Sequence, residues 1–131
     1  MKYLFSLLFI FVLGFSAQSQ KIYTFTGSDT IVNTASVDMT LTVSGSYDAG
    51  VIQVINTKLS GTGAGTSILK GSIDGTNYVN LDTITHTDVA VSTGVFELVL
   101  PKYAYYKVTS TGSGTMSVIT TSKAHFKKLK L

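Results

Sequence analysis

The chain has 131 residues and a mass of 14.0 kDa, room for one domain and not for two. It holds neither Cys nor Arg, which excludes disulfides, thiol catalysis, cysteine metal sites and bidentate guanidinium readout of phosphate or guanine. Only 13% of the residues are charged against 44% hydrophobic, and Thr occurs 19 times, a composition suited to a packed core and not to a disordered chain.

Met1 and Lys2 give a positive start, and Tyr3 to Phe15 is apolar apart from Ser6 and Gly14, the pattern of a secretory signal. A helix of that length reaches about 20 Å, short of the roughly 30 Å hydrocarbon layer it would have to cross as an anchor. Residues 1–19 are therefore read as a signal peptide, with small Ala17 and Ser19 before the cut and Gln20 as the new N-terminus. The expected location is secreted or cell-surface, with a virion as the alternative. Membrane contact comes only through the leader, where it is kept.

Beyond the leader, period-two alternation recurs in segment after segment and no helical period is sustained. Strands are predicted at Lys21 to Thr26, Val37 to Val43, Val51 to Leu59, Ser67 to Ile73, Tyr78 to Ile84, Val95 to Leu100, Tyr103 to Val108 and Met116 to Thr120. In the second, Val37, Met39, Leu41 and Val43 share one face and Asp38, Thr40 and Thr42 the other, so one face is buried and one wet. Phe96, Leu98 and Leu100 are placed on one face of the sixth. Ala104, Tyr106 and Val108 alternate with Tyr103, Tyr105 and Lys107 in the seventh; with Tyr106 in the core, Tyr103 and Tyr105 form an outward pair beside Lys107, the alternative being that both sheet faces are covered or that these Tyr guard an edge. Gly-Ser, Asp-Gly and Gly-Thr steps between these segments supply turns. The expected fold is all-β, a single β-sandwich or jelly-roll-like domain of about eight strands over residues 20–122.

The body from Gln20 to Ser122 carries five Lys against seven acids, whereas residues 123–131 hold Lys123, Lys127, Lys128 and Lys130. The last nine residues are read as a Lys-rich tail or final edge strand, Lys being a residue that discourages edge pairing. So short a basic run is a weak footprint for polyanions, and no nucleic-acid partner is expected.

Leu69-Lys70-Gly71-Ser72-Ile73-Asp74-Gly75-Thr76-Asn77-Tyr78-Val79-Asn80-Leu81, followed by Tyr103-Ala104-Tyr105-Tyr106-Lys107-Val108, resembles the strand, Ser-x-Asp-Gly turn and strand of discoidin-like (galactose-binding-like) sandwiches. It is similar also to small β-sandwich structural proteins of tailed phages. The aromatic that follows the turn in both is commonly Trp and is Tyr78 here. The resemblance implies a jelly-roll-like sandwich with a role in adhesion, sugar contact, or virion and surface structure. No match is found for a discoidin ligand loop carrying Arg or Trp, so sugar binding is not carried over.

Asp74 and Asn77 offer oxygens to a cation, but Asp-Gly-Thr-Asn lacks the every-second-residue ligands of an EF-hand loop, and Asp74-Gly75 is read as a turn. The run Gly61 to Ser67 lacks a following helix and a Lys-Ser/Thr step, so it is read as a mobile connection and not a phosphate loop. His86, in polar Thr85-His86-Thr87-Asp88, is placed in a loop and His125 in the tail, and no Gly-x-Ser-x-Gly elbow is present. No catalysis, cofactor or metal is expected. The expected function is structural or adhesive, through self-association or contact with other surface or virion proteins. The alternative is a carbohydrate-binding module in which Tyr78, Tyr103 and Tyr105, with Asp74 or Asn77, contact a glycan.

Overall fold

A computed structural model describes residues 22–128; the predicted leader, and the last three residues of the predicted tail, lie outside the described residues. Eight strands form: β1 (Ile22–Val32), β2 (Ser36–Thr42), β3 (Ala49–Gly61), β4 (Ala64–Ser72), β5 (Val79–His86), β6 (Val91–Val99), β7 (Tyr105–Ser113) and β8 (Met116–Lys127). They make two four-stranded antiparallel sheets, ordered β1-β8-β3-β6 (sheet A) and β2-β7-β4-β5 (sheet B). Successive strands pass from one sheet to the other except at the β4–β5 hairpin, the threading of a jelly roll. The all-β sandwich expected from the alternation is the observed fold.

The two ends of the sandwich differ. One end is closed by short turns at residues 33–35, 62–63, 87–90 and 114–115. The other carries the longer connections, residues 43–48, 73–78 and 100–104. Backbone bonds tie these together: Val43 N–H donates to the Ala104 carbonyl (2.8 Å), Leu100 N–H to Asp48 (3.0 Å) and Asp48 N–H to Lys127 (3.1 Å).

Several expectations are corrected. Residues 123–127 are neither tail nor edge: β8 runs to Lys127 and is paired on both sides, with β1 and with β3. The reason is visible in the alternation, for Ala124 and Phe126 are buried while Lys123, His125 and Lys127 point to solvent. β1 correspondingly extends to Val32, in register with β8 throughout. The Gly61 to Ser67 stretch is mostly strand, with Thr62 and Gly63 alone between β3 and β4. Gly63 N–H donates to Asp88 Oδ1 (2.7 Å), which also accepts from Lys58 Nζ (3.0 Å).

The interior is layered. Towards the loop-bearing end, Leu41, Val43, Tyr47, Ile52, Val54, Leu69, Phe96, Tyr106, Val108, Ala124 and Phe126 form the main apolar cluster. Towards the tight-turn end, Ile31, Met116 and Val118 form a smaller one. Between them lies a polar layer of inward-facing Asn56, Thr120 and Ser122 from sheet A and Ser67, Ser110 and His86 from sheet B, all buried. His86 is the last residue of β5 and not part of a loop. Its Nε2 is 2.9 Å from Ser67 Oγ, and Ser67 Oγ is 2.8 Å from Ser110 Oγ. Its Nδ1 lies 3.1 Å from Ser92 Oγ on β6, so the imidazole ties the sheets together at the β5–β6 side.

Burial pushes the His86 imidazole below its ordinary value near 6.5. As pH falls, the unfolded chain binds this proton first, so stability is full above the unfolded value and declines from there down to the lowered folded one. Chemical denaturation is expected to give a flat midpoint above about pH 7 and a falling one below about 6.5. His86→Gln is expected to flatten that decline and to cost about 1–3 kcal/mol at neutral pH by leaving buried hydroxyls unpaired.

Candidate functional site

The predicted ligand residues all fall at the loop-bearing end, but they divide between two surfaces. Asp74 and Asn77 build the β4–β5 turn. Asp74 Oδ1 accepts from Ser72 Oγ (2.8 Å), Thr76 N–H (2.9 Å) and Asn77 N–H (2.8 Å), while Oδ2 accepts from Asn77 Nδ2 (2.7 Å). Ser72 Oγ in turn accepts from Gly75 N–H (3.0 Å). Gly75 has φ +75°, a conformation that favours glycine, and the ring of Tyr105 lies 3.4 Å from where a Cβ would stand. Donation from Asn77, backbone and side chain, with help from Thr76 and Ser72, holds the Asp74 carboxyl far below the usual carboxylate range. The carboxylate is spent on the turn.

Tyr78 and Tyr105 lie by the outer side of sheet B. Lys107 Nζ sits 4.3 Å from the centroid of the Tyr78 ring and 3.2 Å from Asp38 Oδ2, a cation held between a π face and a carboxylate. Thr109 Oγ1 donates to Asp38 Oδ1 (2.7 Å). Partial burial pushes the Asp38 carboxyl up, but the Thr109 hydroxyl, the Lys107 ammonium and the charge of Lys70 together hold it below its usual value. Lys70 is directly across from Lys107, and Asn80 across from Lys70, so one row of this sheet reads Thr40, Lys107, Lys70, Asn80. Sequence reasoning missed Lys70, Asn80 and Asp38; their strand parity with Lys107 was the available signal.

Tyr103 goes elsewhere, and the expected outward pair with Tyr105 does not form. β7 begins at Tyr105, so alternation does not govern residue 103. Its ring lies on the backbone of Gly71, where an added Cβ would stand 2.6 Å away, and meets Tyr106 edge-on at 6.0 Å. Tyr103 N–H also donates to the Tyr106 hydroxyl (3.3 Å). Glycine in a strand marks a close approach, and Gly71 is paired with Tyr106. Ala104, expected inside with Tyr106 and Val108, is exposed.

Beside Tyr103, a cleft of about 270 Å³ opens between the edges of β5 and β6 under the 100–104 connection. Leu69, Leu98 and Tyr106 line it with Leu81, Asp82, Glu97 and Lys102. Leu100, expected on the inner face with Phe96 and Leu98, turns outward at φ +52° and is 65% exposed. With Val99 (85%) and Ile73 (76%) it makes the loop-bearing end the place where large aliphatic side chains are most open to solvent among the described residues.

No family model matches the chain, and no curated protein matches it. Solved structures do. The Yersinia pseudotuberculosis-derived mitogen is similar with a TM-score of 0.51 at 15% identity, over 86% of this chain and 90% of its own. The enzymatically active domain of tailspike protein 4 of bacteriophage CBA120 gives 0.53 at 10% identity, over 83% of this chain but 19% of that one. A subunit of the disulfide-linked pili of Bacillus endospore appendages gives 0.47 at 13% identity, over 88% and 96%. At such identities the mitogen and the tailspike share a fold with this chain, a β-sandwich.

Gly71→Ala tests the inward seat of Tyr103. The added methyl displaces the ring and is expected to cost about 1–3 kcal/mol in chemical denaturation. Gly114→Ala, with open space at its Cβ and φ +78°, should cost about 1 kcal/mol from backbone strain alone.

Proposed function

We propose that this chain is a non-catalytic, exported β-sandwich with a structural or adhesive role in a cell-surface or virion-like assembly. The observation that carries the proposal is the outer face of sheet A. Its rows are Thr24, His125, Val51 and Glu97; Thr26, Lys123, Gln53 and Val95; Ser28, Thr121, Ile55 and Thr93; and Thr30, Ile119, Thr57 and Val91. In these rows charge is confined to the two nearer the loop-bearing end, and the other two are β-branched apart from Ser28, which suits lateral packing. Open aliphatic side chains on the longer connections add adhesive contact.

The placement of titratable groups supports the non-catalytic part. His86 is buried among Ser67 and Ser92, His125 stands on the outer face of β8, and Asp74 is consumed by its turn. A discoidin-like sandwich is part of this proposal, supported by the hairpin that β4, the Asp74-Gly75 turn and β5 form.

The assembly reading is tested by multi-angle light scattering on residues 20–131 across a wide concentration range. A mass that climbs above the monomer is expected; a strictly monomeric chain would overturn it. The second reading, a carbohydrate-binding module, is favoured by the Tyr78–Lys107 stack beside Tyr105, Lys70 and Asn80. On a glycan array a signal lost in Tyr78→Ala and Tyr105→Ala supports it, and either no signal or no effect of these variants at half-buried rings discards it.

A further inference from the structure

Every sheet has two edges, and an edge strand offers unpaired backbone groups to any passing strand unless something blunts it. Among the four edge strands here, three carry such a device. β1 points Asp29 to the inner side, and Asp29 Oδ1 accepts from the N–H of Thr30 (2.7 Å). β2 is the shortest strand, with seven residues, and carries Asp38 bound to Lys107. β5 breaks register with a bulge between its pairings to Leu69 and Lys70, and Asp82 Oδ1 accepts from the N–H of Thr83 (2.7 Å).

β6 has none of these. Val91–Val99 contains no Lys and no Pro, pairs with β3 without a register shift, and points Ser92, Gly94, Phe96 and Leu98 inward. Its one charge, Glu97, faces outward. The backbone polarity of this edge follows from two flanking bonds: the Ala90 carbonyl accepts from Lys58 N–H (2.9 Å) and Leu100 N–H donates to Asp48 (3.0 Å), both towards β3. In an antiparallel ladder the N–H and C=O of one residue point the same way and those of the next point oppositely. The even-numbered residues of β6 therefore bond to β3, and Val91, Thr93, Val95, Glu97 and Val99 present theirs to the open side.

We propose that this edge pairs with β6 of a second copy of the chain, antiparallel about a two-fold axis at Val95, joining two copies of sheet A into one continuous sheet. This inference rests on the assembly reading above and names its interface. The register is chosen by the side chains. Centred on Val95, the pairing sets Val91 against the second copy's Val99, Val95 against its counterpart and Glu97 against Thr93, so all nine residues are used. Three valine pairs then line the outer face. Centring on Glu97 brings two carboxylates together, which is destabilising. Centring on Gly94 or Phe96 sets a valine against Glu97 and leaves one end of the strand unpaired. A two-fold interface must be self-complementary, and of these registers the Val95-centred one is.

Because the chain has no cysteine, a single introduced thiol reports the register. A directly opposed, hydrogen-bonded pair has Cα atoms about 5.5 Å apart, within the range a disulfide spans. Under mild oxidation Val95→Cys is expected to give a covalent dimer. Thr93→Cys alone is expected to stay unlinked, and Thr93→Cys mixed with Glu97→Cys to give a heterodimer. Val95→Lys, which opposes two ammonium groups on an exposed position, is expected to weaken association at least tenfold with unchanged circular dichroism. A chain that multimerises while Val95→Cys stays unlinked, or links no better than Thr93→Cys, overturns the β6 interface and leaves the assembly reading standing. A chain that stays monomeric at every concentration, with Val95→Cys unlinked, overturns both.

Discussion

The loop-bearing end hangs from the contact between Phe126 and Gly50. The ring occupies the space where a Cβ at residue 50 would stand, 2.4 Å from its nearest atom, so β8 and the start of β3 approach only because position 50 is glycine. From that seat the ring meets Tyr47 at 5.9 Å, Tyr106 at 5.9 Å and Tyr23 at 6.1 Å. Tilted aromatic contacts of this kind combine a large buried area with a defined geometry. Tyr47 belongs to the 43–48 connection, and Tyr106 holds Tyr103 of the 100–104 connection. One buried phenyl ring thus fixes two of the three longer connections, and the third leans on Tyr105, next to Tyr106 along β7.

The polar layer has the opposite character. Ser67, Ser110 and His86 satisfy one another, whereas Asn56 Oδ1, Thr120 Oγ1 and Ser122 Oγ are buried without a protein partner among the described residues. Each such group costs about 1–3 kcal/mol relative to a bonded one. The sandwich is therefore held most firmly at its aromatic end and least firmly across its middle, where the one imidazole in the interior bridges β5 to β6. Charging that imidazole weakens the sheet-to-sheet contact beside β6 without touching the cluster around Phe126.

Much of the architecture was legible because hydrophobic alternation survives wherever a strand packs against an apolar neighbour. Val37 to Val43 is such a case, and its Met39, Leu41 and Val43 are buried as the pattern requires. Alternation misleads where the interior is polar. His86 looks like loop because Thr85, Thr87 and Asp88 surround it, yet its inward parity on β5 puts it against Ser67. It also misleads where the outer residues are charged, as in Lys123-Ala124-His125-Phe126-Lys127, a central strand whose solvent side reads as a basic tail. The candidate ligand residues were found as a cluster at one end, but Tyr103 was assigned a strand parity it does not have. Only the pairing of Gly71 with Tyr106, invisible before the sheet is known, explains where its ring goes.

Charge placement follows the sheet order. Asp29, Asp38, Asp82 and Glu97 stand one on each edge strand, and no central strand carries an acid; Lys58, Lys70, Lys107, Lys123 and Lys127 all stand on central strands. Lysine, expected to guard an edge, cannot do so here, since both sides of every strand that bears one are already paired. Edge protection falls to the acids. An aspartate does this locally, because its short side chain reaches the amide of the next residue, as Asp29 and Asp82 do. Glutamate is longer by one methylene, and Glu97 makes no such bond among those the structure shows. It leaves the backbone of β6 open, and its charge repels a second copy only in registers that bring two Glu97 side chains together. The same residue that discourages random pairing of this edge therefore selects, among the two-fold pairings, one that keeps the carboxylates apart.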